Sequence, residues 1–167
     1  LPTVLLALAG AVCALRRPTT ARSRAALWLT AAAIAVYGTF VAGLWLSLER
    51  PPLRTLGETR LWYSLFMLVS GWWVYLRWGY RWILFFSLLT ASVFMAINLL
   101  KPDIHDQSLM PALQSAWFVP HVTAYIFSYS VFGCAFLLAI GSLRQGHDRL
   151  LHPADELVRI GLFFLTF

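Results

Sequence analysis

The sequence predicts an all-α fold, a bundle of helices that crosses a lipid bilayer several times. Three observations carry this prediction. Of the 167 residues, 60% are hydrophobic and only 12% charged. Soluble domains carry about 25% charged residues, so this chain lacks the charges to cover its own surface in water. The apolar residues fall in continuous runs without alternation, which suits helices and argues against the strands of a membrane barrel. Aromatic residues make up 16%, with eight Trp, the residue type that anchors spans at membrane–water interfaces.

The first run, about residues 1–15, ends at Leu15 and falls short of the roughly 20 residues a bilayer requires. No basic stretch precedes it and no small-residue cleavage site follows, so it does not read as a signal peptide. Four complete spans follow, at about 25–48, 61–78, 82–100 and 116–143. Ala25–Leu48 and Trp82–Leu100 hold no charged residue. Leu61–Leu76 is shorter, and Trp78 and Tyr80 extend it into the interface. Ala116–Leu143 carries His121 as its one titratable side chain besides Cys134 and its tyrosines. Its regular helix is expected to begin near Ala116, with Pro120 tolerated in the first turn. The last run, about 157–167, is again short. Both ends look cut, and residues 1–167 are expected to form one transmembrane domain of a larger protein.

Basic residues give the orientation. Arg16, Arg17, Arg22, Arg24, Arg77, Arg81, Arg144, Arg149 and Arg159 fall on one side, and Arg50, Arg54, Arg60 and Lys101 on the other. Nine against four places the first set in the cytoplasm and turns 49–60 and 101–117 outward. The net charge of +6 is thus explained by topology, and a nucleic-acid partner is not expected. Pro51 and Pro52 stop any helix continuing from the preceding span. Cys13 and Cys134 lie in apolar runs without metal-ligand or CxxC spacing and read as buried small hydrophobes.

No catalytic triad, phosphate loop or carboxylate pair is present. The constellation of interest is PALQSAWFVPHVTAYIFSYS, residues 111–130, where helical spacing puts Trp117, His121, Tyr125 and Ser128 on one face. A neutral imidazole flanked by aromatic rings suits an axial haem ligand. It equally suits a histidine that hydrogen-bonds to a neighbouring helix or to water, and spacing leaves both readings open. His105, between Asp103 and Asp106, reads as a solvated loop residue, as do His147 and His152. Glu58 reads either as a surface carboxylate favoured by a helix N-terminus or as a residue that supports a site. Trp72, Trp73, Tyr75, Trp78, Tyr80 and Trp82 read as an aromatic belt.

The stretch MPALQSAWFVPHVTAYIFSYSVFG, with RTLGETRLWYSLFMLVSGWW before it and the connecting NLLKPDIHDQSLMPALQS, resembles the cytochrome c assembly, or haem-handling, proteins of the CcsA/ResC type. The resemblance covers about residues 50–167. It implies a multi-pass subunit of a cytochrome c synthetase in the bacterial cytoplasmic membrane. Such a subunit presents haem b on the outer face and works with a CcsB/ResB-type partner to attach it to the CxxCH cysteines of apocytochrome c. On this resemblance His121 is the first outward haem-ligand histidine, with Trp117 and Tyr125 as packing residues. The attachment would belong to a haem lyase complex, and the fragment alone is not expected to catalyse it. The resemblance implies that the family's tryptophan-rich WGxxWxWD segment and the second outward histidine follow the last span, beyond Phe167. Trp78-Gly79-Tyr80-Arg81-Trp82 imitates its first five positions, but Ile83, Leu84 and Phe85 replace the continuation and the topology puts it on the cytoplasmic side. A carrier or scaffold that never meets haem is the alternative.

Overall fold

The computed structural model describes residues 24–100, 115, 117–145 and 150–166, together with residues 5, 7–10 and 12. The described residues are all-α. Five helices follow one another as α1 (Arg24–Leu48), α2 (Leu56–Trp78), α3 (Arg81–Leu100), α4 (Phe118–Gln145) and α5 (Leu151–Thr166). Residues 7–10 are helical as well, and Ala7 joins Ala33, Tyr37 and Val41 of α1 in a buried cluster. His105, His147, Cys13, Asp103 and Asp106 lie outside the described residues.

Three helices, α1, α3 and α4, are long and apolar enough to cross a membrane. The sequence reading expects four complete spans, and α2 is the exception because Glu58, Arg60 and Arg77 dilute its apolar character. Its 23 residues still reach about 34 Å at 1.5 Å per residue, against a hydrocarbon core of about 30 Å. The reason it can be more polar is its place. It packs against α1, α3 and α4 together, so much of its surface meets protein.

The start of α2 shows why apolar runs misplace helix ends. The run begins at Leu61, yet the helix begins at Leu56. Thr55, in extended backbone at φ −116°, accepts a hydrogen bond from the Glu58 N–H, and the Glu58 carboxylate accepts one from the Thr55 N–H. This reciprocal pairing supplies acceptors for two backbone N–H groups that the first turn otherwise leaves unpaired. The other end stops at Gly79, whose φ of 81° is left-handed and whose N–H donates to the Tyr75 carbonyl at 2.9 Å. Only glycine adopts that conformation without strain. The Trp78-Gly79 pair is therefore a helix terminus, and α3 begins at Arg81.

Two larger buried clusters and a small third, Ala26, Tyr75 and Leu84 with Trp72 against it, hold the described bundle. Leu61 and Leu68 of α2 meet Ala33, Tyr37 and Val41 of α1 and Leu88 and Ala91 of α3. Met67 and Val74 on another side of α2 meet Val131, Cys134 and Leu138 of α4 and Ala154 and Leu157 of α5. The aromatic group near Gly79 belongs mostly to this packing. Tyr75 is 1% exposed, Trp72 Nε1 donates to the Leu27 carbonyl at 3.1 Å, and Trp73, Trp78, Tyr80 and Trp82 lie against the second cluster. These rings also join helices to one another.

Candidate functional site

Glu58 organises the end of the bundle where α1 stops and α2 starts. It is only 5% exposed, which corrects the surface-carboxylate reading. Arg50 grips it with both terminal nitrogens, Nη1 to Oε2 at 3.0 Å and Nη2 to Oε1 at 2.9 Å. The Arg54 N–H donates to Oε2 at 2.7 Å and the Thr55 N–H to the same oxygen at 3.3 Å. Burial by itself raises the pKa of this carboxyl. The hydrogen bonds from Arg50 and the backbone, together with the Arg50 charge, outweigh it and hold the group below the usual carboxylate range. Two further bonds pin the segment. Trp62 Nε1 donates to the Pro52 carbonyl at 3.0 Å, and Asn98 Nδ2 of α3 to the Gly57 carbonyl at 2.9 Å.

At the same end α4 begins. The Phe118 N–H donates to the Ser115 carbonyl at 3.0 Å and the His121 N–H to the Trp117 carbonyl at 3.3 Å. Pro120, with no N–H to give, sits in this first turn where none is required. His121 is exposed, and no described side chain hydrogen-bonds its imidazole. Tyr125, one turn on, lies against that imidazole with ring centroids 4.1 Å apart and planes inclined by 47°. Tyr129 continues the row, 6.3 Å from Tyr125. Trp117 is 82% exposed. Ser128 does not join this surface: it is fully buried and donates to the Gly161 carbonyl of α5 at 2.7 Å. Helical spacing puts Ser128 on the face of His121 and Tyr125, and in the fold its side chain is instead taken up by α5.

Beside these residues lies an open apolar cleft of ≈ 520 Å³, within the usual range of about 300–1,000 Å³ for ligand pockets. Trp45, Pro51, Leu53, Trp62 and Phe66 form one wall. Val119, Pro120, Thr123, Ala124 and Phe127 of α4 form the other, with Phe164 of α5 at its edge. His121 and Tyr125 are absent from this lining and occupy a different face of the same helical turns. The end of α4 thus presents two surfaces, a free imidazole with its tyrosine on one side and an aromatic-lined cleft on the other.

The sequence profile of the cytochrome c assembly protein family matches residues 53–167. The chain belongs to the cytochrome c assembly protein family. The match takes in α2 to α5, and with them Glu58, His121 and most of the cleft. No curated protein and no solved structure matches the chain. As a member of the cytochrome c assembly family with three helices able to span a bilayer, the chain is a multi-pass membrane protein with a role in cytochrome c biogenesis.

Within this cytochrome c assembly protein the two parts of the His121 constellation that come together are His121 and Tyr125. Trp117 stands free in the turn before them. Sequence reasoning missed Arg50, Trp62 and the cleft. A partial signal was present: Thr55-Leu56-Gly57-Glu58 is the capping-box pattern, which marks Glu58 as a helix-start residue. No pattern in the sequence marks Arg50, eight residues earlier, as its partner. His152, read as solvated, is exposed and lies 3.4 Å from Glu156. Among the described residues no group of three or more His, Cys, Asp or Glu could hold a metal ion.

Proposed function

We propose that this chain binds haem as cargo at the outer membrane face and presents it for covalent attachment to apocytochrome c. His121 is the axial ligand in this reading. The observation that carries it is the state of that side chain: an exposed imidazole with no hydrogen-bond partner among the described residues, at the end of a membrane helix in a cytochrome c assembly protein. Ionisable residues of membrane helices commonly mark functional sites. Tyr125 supports the same reading in an altered role. At 4.1 Å from the imidazole it holds the ring orientation and is not free to lie flat on a macrocycle. Trp117 remains available for that contact.

The attachment adds an apocytochrome thiol across a haem vinyl group. A carbon–sulfur bond forms at one vinyl carbon and the thiol proton goes to the other. In this reading the chain's contribution is to bind the haem and orient it. The positive-inside count supports an outward-facing His121; in this reading the membrane is the bacterial cytoplasmic membrane and a CcsB/ResB-type subunit completes the synthetase.

Purification of the full-length protein tests the reading. Haem should copurify, and His121→Ala should cut its occupancy or shift its absorption spectrum. Loss of a group that merely orients a metal ligand typically costs about 10–100-fold in affinity, and loss of the ligand itself should cost at least as much. Unchanged occupancy together with an unchanged spectrum removes His121 from the site.

A further inference from the structure

Among the described residues Glu58 is the one carboxylate that is buried, and its partners go beyond those of a helix cap. A capping box requires only the exchange with Thr55. Glu58 also takes the Arg54 N–H and both arms of Arg50, which stands two residues past the end of α1. One side chain therefore ties the end of α1, the connecting loop and the start of α2 into a rigid unit. That loop supplies Pro51 and Leu53 to the cleft, and Trp62, which holds the Pro52 carbonyl, stands beside them. The facing wall, Val119, Pro120 and Thr123, is the stretch of α4 that carries His121. The nearest ring contact between α2 and α4 is Phe66 with Phe127, centroids 5.6 Å apart, nearly two turns beyond His121.

We propose that Glu58 is a positioning residue for the His121 end of α4. By fixing the Pro51–Thr55 wall it sets the width of the cleft, and with it the place of the His121 turn relative to α2. The spectroscopic part of its test rests on the haem reading above, and the cross-linking part does not.

The full-length protein is compared with its Glu58→Gln and Glu58→Asp variants. The N–H of the Arg54–Thr55 peptide bond and the one before it both donate to Glu58, so trypsin cleavage there reports the clasp directly. Glu58→Gln should speed this cleavage by about tenfold as local opening becomes more populated, and Glu58→Asp should restore part of the protection. The copurified haem of Glu58→Gln should show a shifted absorption spectrum or lower occupancy, again partly restored in Glu58→Asp. Faster cleavage with an unchanged haem spectrum makes Glu58 a loop-building residue only and overturns the proposal. Unchanged cleavage overturns it too. Should the wild-type protein carry no haem, the haem reading falls, and the proposal is decided by thiol cross-linking of Arg54→Cys to Val119→Cys. Glu58→Gln must then lower the cross-linking yield severalfold, and an equal yield overturns it.

Discussion

Glu58 remains charged in a buried place because four hydrogen bonds converge on it. Its pKa in the fold lies below the ordinary carboxylate value of about 4.3, so its stabilising effect is complete above that value and is lost as pH falls through the lower one. A spin label at Leu56→Cys, a 48% exposed position, should stay immobilised down to about pH 4 and loosen only in stronger acid. In Glu58→Gln this acid step should vanish, and loosening already at pH 5 in the wild type contradicts the assignment. Ser128 belongs to the same scale. Its bond to the Gly161 carbonyl is buried, and Ser128→Ala should cost about 1 kcal/mol in detergent unfolding. These two residues mark what a sequence conveys at this scale. Thr55-Leu56-Gly57-Glu58 announces a helix start, and the 3.6-residue repeat puts Ser128 on the face of His121. Neither Arg50 as a partner nor α5 as a cover follows, because both arise from chain segments brought together only by folding.

Among the elements, α2 and α3 pack closely at Gly71. A Cβ placed there would stand 1.9 Å from Ser87 Oγ and 2.5 Å from Ser87 Cβ. Gly71→Ala should therefore destabilise the bundle by about 1–3 kcal/mol through overpacking. Gly38 of α1 has nothing within 4 Å of the same position, and Gly38→Ala should be neutral or stabilise by up to about 1 kcal/mol. Thermal unfolding of the two variants in detergent separates the cases, and equal losses would contradict this account of the contact. Helices α1 and α3 are legible because uncharged runs bound them. The limits of α2 are not, since its first turn is set by a capping box and its last by Gly79, both chemically polar or neutral signals that hydropathy passes over.

For the whole molecule, composition already reveals lipid as the solvent, and the all-α bundle follows from it. The site is less legible: His121 could be singled out as the lone imidazole of its run, but the cleft depends on five segments meeting at one end. The orientation has its own test. A membrane-impermeant thiol reagent applied to intact cells should label Arg54→Cys, and should reach Tyr80→Cys only after permeabilisation. The opposite pattern would turn the protein over and take His121 away from the side where cytochromes c mature.

The turn at Gly79 has a consequence for how the protein is made. Helix α2 lacks the apolarity of its neighbours, yet only Gly79 and Tyr80 separate it from α3. A nascent chain cannot leave α2 in the aqueous channel of the insertion machinery while α3 moves into lipid, for so short a link holds them side by side. The two must enter as a hairpin, with α3 supplying the affinity for lipid and Gly71 the close fit. Segment 56–78 alone should stay out of the bilayer in a cell-free insertion assay, and segment 56–100 should go in.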